Sequence, residues 1–197
     1  MLNMGFQRSR YLDNILNANF YTNIEKDSIE VTHSNRVSEL CKYLGMAMEL
    51  TYDDIYMLEI SGLFHDIGKI AIQEQTLNKP GPLSEDEWDE IMQHPEIGYK
   101  ILCTSIEMSE IAKYVLYHHE RYDGLGYPKG LKGEEIPLLS RIISVVDSYD
   151  AMTNQRVYRE TLNKDMAVME LLRNKGKQFD PDIVDIFIEK VLVQNIG

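Results

Sequence analysis

Residues 52–69, YDDIYMLEISGLFHDIGK, carry the reading on which the fold turns. Beyond the acidic first turn, Asp53 and Asp54, the segment Tyr52 to Phe64 is apolar nearly all round, which predicts a buried helix rather than a surface one. That helix runs directly into His65 and Asp66, two polar side chains delivered to the edge of a core.

Working outward, helical periodicity continues on both sides and no run alternates as a strand would. From about Val31 to Glu49, Val37, Leu40, Cys41, Leu44 and Met48 fall on one helix face. Ser84-Glu85-Asp86-Glu87 is a capping box opening a helix through Trp88 and Met92. Further helices are expected from about Ser109 to His118 and from Leu139 to about Thr153. Asn163 and Asp180-Pro181 begin the last two, with Pro181 at the tolerated first position. The expectation is an all-α bundle, with residues 1–25 a leading arm or short helix and residues 26–197 one domain.

Composition narrows the function. A chain of 197 residues can bury a substantial core. No stretch approaches the roughly 20 apolar residues of a membrane span, and the first residues lack the apolar centre of a secretory leader, so a cytoplasmic protein is expected. Cys41 and Cys103 are far apart, with no CxxC spacing, which argues against a disulfide framework or thiolate zinc site; both read as small core residues. The net charge of −12 disfavours nucleic-acid polymers and anionic membranes. A phosphate-bearing substrate would need positive charge supplied at the site itself.

The five histidines, His33, His65, His94, His118 and His119, offer a source of such a site. A lone helical histidine is ordinarily a satisfied core or surface residue. Here His33 lies one turn before Val37 on the core-facing side, His65 ends the buried helix, and His118 and His119 are adjacent at another helix end. Burying several imidazoles costs several kcal/mol in total unless each finds a partner, and a shared metal centre would satisfy them together. Asp147 stands in the apolar run Ile142-Ile143-Ser144-Val145-Val146, where a free carboxylate is expensive; the plain alternative is a polar helix face with Asp150 one turn on. Asp66 has two oxygens and could bridge two cations. Imidazole and carboxylate without thiolate suit iron, manganese or zinc. Two such ions about 3.5–4 Å apart would clamp a phosphodiester and activate water.

These residues also match a family. His65-Asp66-Ile67-Gly68-Lys69 resembles the HD signature of metal-dependent phosphohydrolases, and His118-His119-Glu120-Arg121-Tyr122-Asp123-Gly124-Leu125-Gly126-Tyr127-Pro128 resembles the long, specific HHE-xx-DGxGYP motif of HD-GYP domains. Further matches are Asp27 with His33-Ser34-Asn35-Arg36-Val37, Asn78 to Leu83, His94 to Gly98, Asp147 to Arg159, and Gln178 to Pro181, so that the resemblance covers about residues 25–193. It implies a helical bundle that hydrolyses cyclic di-GMP at a binuclear or trinuclear centre. It implies that His33, His65 and Asp147 hold one metal, that Asp66 bridges, and that His94, His118 and His119 hold a second. Lys69 would lie beside the reacting phosphate, and Arg156 and Arg159 would grip substrate phosphates, a role suited to their bidentate geometry. By chemistry alone Gly124 to Pro128 is a plain turn; in the family this loop is linked to substrate access and to partner recognition, and Tyr127 is not placed among the catalytic residues.

One position departs from the pattern. Some members carry a third-metal glutamate four residues before the first histidine, where this chain has Ile29, with Glu30 three before. The expectation is therefore two divalent ions, Fe or Mn, with the linear dinucleotide pGpG as product and GMP as a further one. Another cyclic dinucleotide or a nucleotide is the alternative substrate, and a receptor without turnover the alternative class. The complete ligand set argues against the receptor. A signalling protein at the GYP loop and a homodimer are the associations left open, and the chain is expected as either a stand-alone enzyme or an output domain.

Overall fold

Thr51, Ser84, Asn163 and Asp180 each open a helix by accepting from amides that would otherwise be orphaned. The computed structural model describes residues 29–154 and 161–193. Helix α1 spans Ile29–Ala47 and α2 Tyr52–Phe64. Thr51 caps α2 by accepting from the Asp54 amide at 3.2 Å, and Asp53 and Asp54 suit the positive end of its dipole. Two short helices follow, α3 (Glu74–Leu77) and α4 (Glu85–Ile91). The expected capping box is present: Ser84 Oγ accepts from the Glu87 amide at 3.3 Å and Ser84 N donates to Glu87 Oε2 at 2.7 Å. Then come α5 (His94–Leu102), α6 (Ser109–Leu116) and α7 (Leu138–Thr153). Asn163 caps α8 (Lys164–Arg173) and Asp180 caps α9 (Pro181–Ile186), which continues as a wider π turn over Phe187–Leu192. Among the described residues there is no strand, only a single bridge between Lys175 and Phe179, so the all-α expectation holds.

The residues fall into two units, Met1–His33 and Ser34–Gly197. The expected leading arm, residues 1–25, lies outside the described residues.

In the second unit the core is built around α7. Its Ile142, Ile143, Val145 and Val146 are buried with Val37, Cys41 and Leu44 of α1, Leu58 of α2, Leu171 of α8 and Phe187 beyond α9. Each such side chain contributes roughly 1.5–3 kcal/mol by leaving water. Tyr149 meets Phe187 edge to face, with centroids 5.3 Å apart.

Two ion pairs fix how α7 sits. Asp150, 1 % exposed, receives both Nε and Nη2 of Arg36 from α1, at 2.7 and 2.8 Å. Arg141 pairs with the capping carboxylate of Asp180 and donates Nε to the Ile136 carbonyl at 3.1 Å. The alternative of a polar helix face is thus overturned for Asp150, whose carboxylate is buried in a bidentate pair.

Two other expectations are corrected. Cys103 is exposed, not in the core. It follows Leu102, which is buried, and successive helical positions point about 100° apart, so an apolar neighbour does not bring its next residue inside. Helix α6 ends at Leu116 rather than His118. His118 Nδ1 takes the Val115 carbonyl at 2.6 Å, the acceptor that the His119 amide would need to prolong an α-helix, and the Glu120 amide instead closes a tighter turn on Tyr117 O at 3.0 Å.

Candidate metal centre

The site is assembled at element ends. His65 terminates α2, and Asp66 follows at the start of a 3₁₀ turn over Ile67–Ala71 that also carries Lys69. His94 opens α5, just ahead of Pro95. His118 and His119 occupy the turn after α6, and Asp147 projects from α7. The 3₁₀ turn can press against α5 because residue 68 is glycine: a Cβ there would collide with the His94 carbonyl oxygen and the Gly98 amide. Gly68 of the HDIGK run is therefore what lets Asp66 and His94 meet.

One local device orients three of the imidazoles. Nδ1 of His65 faces the Gly62 carbonyl at 2.7 Å, Nδ1 of His94 that of Ile91 at 2.7 Å, and Nδ1 of His118 that of Val115 at 2.6 Å. A carbonyl only accepts, so each Nδ1 carries the proton and Nε2 is the atom presented to the site. The three Nε2 atoms gather around Asp66. His65 Nε2 lies 3.3 Å from Asp66 Oδ2, and His94 Nε2 lies 3.3 Å from Asp66 Oδ1. His118 Nε2 is 3.4 Å from His94 Nε2, and Asp147 Oδ1 is 3.7 Å from His65 Nε2. One donor atom from each of Asp66, His94, His118 and His119 lies within 4.8 Å of the others, a spacing that could hold a cation. Lys69 Nζ rests on Asp66 Oδ2 at 2.6 Å.

The electrostatics agree with that use. Burial holds His94, His118 and His119 below the ordinary imidazole range, His119 down to about 3, so they stand as neutral donors. Burial also acts to lower His65, but the carboxylates of Asp66 and Asp147 outweigh it and push that ring up to about 10. Burial raises Asp66, but Lys69 and His65 outweigh it and hold the carboxyl well below its usual range. A proton on His65 thus fills, in this cluster, the place a cation would take between carboxylate and imidazole.

A loop closes one side. Glu120, buried, accepts from the amides of Lys129, Gly130 and Leu131 at 2.6, 3.1 and 3.0 Å, drawing the loop after His119 back on itself. Arg121 and Asp123 pair in a fork at 3.0 and 2.7 Å, and the Tyr122 and Asp123 amides donate to the carbonyls of Gln178 and Lys177. Tyr127 lays its ring over His119, centroids 4.9 Å apart and planes 31° apart.

Most of the expected residues are therefore brought together: His65, Asp66, Lys69, His94, His118, His119 and Asp147. His33 is buried on α1 in the first unit. Arg156 and Arg159 lie outside the described residues. Sequence reasoning gave no role to Glu120 or to the Arg36–Asp150 pair. For Asp150 a signal existed, a second aspartate one turn from Asp147 in the same apolar run. For Glu120 there was only its place next to two histidines.

A helical domain that gathers imidazoles and carboxylates, without thiolates, at the ends of buried helices defines a candidate hydrolytic metal site. The family model described as the HD domain matches residues 22–183, and the chain belongs to that family. It is 41 % identical over 157 residues to the "Cyclic di-GMP phosphodiesterase response regulator RpfG" of Xanthomonas campestris, covering 78 % of this chain and 41 % of that protein. It is 35 % identical over 159 residues to the "3'3'-cGAMP-specific phosphodiesterase 2" of Vibrio cholerae, covering 80 % of this chain and 30 % of the relative. The chain thus spans less than half the length of these curated relatives. The structure of an HDG"Y"P protein from Bdellovibrio bacteriovorus superposes with a TM-score of 0.68 at 18 % identity, covering 96 % of this chain and 61 % of the other, and shows the same fold. No helix among the described residues is long and apolar enough to cross a membrane.

Proposed function

We propose that this chain is a metal-dependent phosphodiesterase that hydrolyses a cyclic dinucleotide, cyclic di-GMP in the first instance. The observation that carries the reading is the position of Asp66, whose two oxygens face different histidines: Oδ2 faces His65, and Oδ1 faces His94. A carboxylate so placed can bridge two cations. Asp147 stands with His65, and His118 and His119 stand with His94. His33 is assigned to the first ion from the sequence match alone. Two divalent ions, Fe or Mn, would supply Lewis acidity and an activated water when bound.

The chain's own groups do the rest. The carbonyl-anchored imidazoles fix the ligand geometry in advance, as outer-shell partners do in metal sites generally. Lys69 brings an ammonium to Asp66, where it stabilises negative charge developing on a phosphate oxygen. Arg156 and Arg159 bind the substrate phosphates, a role that an Arg156→Ala variant with unchanged KM would remove. The acidic chain admits a dianionic substrate because the site carries its own positive charge. The protein acts in the cytoplasm, where cyclic dinucleotides serve as messengers, and the loop around Tyr127 is the surface offered to a signalling partner.

The relatives named above include one called a cyclic di-GMP phosphodiesterase and one called specific for 3'3'-cGAMP, so the purine is the open variable. The test is to load oxygen-free protein with Fe(II) or Mn(II), supply cyclic di-GMP or 3'3'-cGAMP, and separate the products. Linear pGpG, abolished by chelation, is the expected result. Turnover of 3'3'-cGAMP alone would move the assignment to that substrate, and turnover of neither at full metal occupancy would replace the enzyme by a receptor.

A further inference from the structure

The four imidazoles at the centre are not all oriented in the same way. His65, His94 and His118 are each anchored through Nδ1 to a carbonyl three residues earlier in the chain. Among the described residues, His119 makes no such bond. Its ring instead lies against three other rings: His118 at 4.0 Å, His94 edge-on at 4.9 Å, and Tyr127 stacked at 4.9 Å with a 31° tilt. The first two belong to the cluster itself. Of the three rings, Tyr127 is the one that comes from outside it.

Tyr127 is in turn held against the histidine turn by the backbone. Its amide donates to the His119 carbonyl at 3.3 Å. The preceding Gly126 lies so close that a Cβ would collide with the Arg121 amide, Glu120 Cα and the His119 carbonyl. Beyond Tyr127, the loop is closed by the buried carboxylate of Glu120, which gathers three consecutive amides, those of Lys129, Gly130 and Leu131. A buried carboxylate that gave up these donors would be left unsatisfied, so the loop is fastened at that point.

Resting on the metal-centre reading above, we propose that Tyr127 and Glu120 are positioning residues for His119: Glu120 fixes the loop, and the loop seats the Tyr127 ring on the imidazole so that it points into the second metal position. The stack performs for His119 the service that a backbone carbonyl performs for the other three. The role belongs to the aromatic face of Tyr127 and not to its hydroxyl.

The test uses the full chain and Mn(II) alone, with affinity and stoichiometry read by titration and by the spectrum of bound manganese, independently of turnover. Wild-type protein should take up two ions. Tyr127→Ala and Glu120→Gln should weaken one of the two by about 10–100-fold, the usual effect of an outer-shell change, and leave the other unchanged. Tyr127→Phe should bind both as wild type does. Tyr127→Ala binding both ions with wild-type affinity, while His119→Ala loses one, would overturn the positioning role and leave the metal centre standing. Loss of affinity in Tyr127→Phe equal to that in Tyr127→Ala would also overturn it, because the hydroxyl would then be the active part. Wild-type protein that binds no Mn(II) would overturn the positioning role together with the metal-centre reading. If Glu120→Gln does not fold, the two Tyr127 variants decide the matter by themselves, since their side chain is only half-buried.

Discussion

Asp66 is the residue on which the site depends, because it is in contact with His65, His94 and Lys69 at once. Asp66→Ala removes the acceptor common to both halves. In the metal-free protein it also takes away one of the two carboxylates that push His65 up. The expected outcome is loss of bound divalent metal and of hydrolysis together, by more than the about 10–100-fold that outer-shell substitutions cost, while far-UV circular dichroism keeps its helical form. Full turnover in Asp66→Ala would remove this residue from the centre. His65→Ala should behave alike, since its Nε2 faces Asp66 and Asp147. His65 was legible because it ends a buried helix, where a ring without a partner is expensive, and Asp66 because its two oxygens stand next to it in a run that resembles the HD signature. Glu120 was not, since its partners are main-chain amides nine to eleven residues further on, a relation without a periodic signature.

At the scale of elements, what the sequence shows best is where helices begin. Thr51, Ser84, Asn163 and Asp180 each cap as their residue types demand, because capping is local chemistry between a side chain and an amide two or three positions on. Ends are harder to read. Helix α6 stops two residues before the expected end, where the His118 ring takes the Val115 carbonyl that the helix would have used, a side-chain contact that helix propensity does not register. The pairing of helices was also hidden: nothing local says that Arg36 will meet Asp150, 114 residues away. That pair predicts a measurable coupling. Asp150→Ala strands the Arg36 guanidinium, and removing one partner of a buried pair costs about 3–5 kcal/mol, with the lower end expected here because Arg36 is about one-third exposed. The urea midpoint should fall accordingly with an unchanged slope. Because Asp147 lies one turn before Asp150 on α7, the same variant should weaken metal binding even at temperatures where it remains folded. A variant with wild-type midpoint and metal affinity would show that α7 is held by its apolar face alone.

For the molecule as a whole, the cluster makes the stability of the metal-free protein a function of pH, with a sign that differs on the two sides of neutrality. An imidazole in the unfolded chain titrates near 6.5. His94, His118 and His119 are held below that value in the folded protein, His119 down to about 3. As pH falls below about 6.5, the unfolded chain therefore binds protons that the folded protein refuses, and stability drops by up to about 1.4 kcal/mol per pH unit for each such ring. His65 has the opposite sign. Its folded value, about 10, lies above the unfolded one, so its contribution is complete below about 6.5 and is lost progressively as pH rises toward 10. Asp66, held well below its usual value, adds stability that persists above the ordinary carboxylate range and fades only in strong acid. The sum is a maximum near pH 6.5, steep on the acid side, where three rings act together, and shallower on the alkaline side, where one does. Urea titrations of chelated protein from pH 5 to pH 9 should trace that asymmetric dome. Added Mn(II) should raise stability by an amount set by its concentration relative to its Kd. The gain should be smallest at pH 5 and grow as pH rises, because the metal must displace the proton that His65 holds up to about pH 10. A flat profile between pH 5 and pH 9 would mean that the imidazoles titrate as they do in water, and that the cluster is neither as buried nor as tightly coupled as its geometry requires.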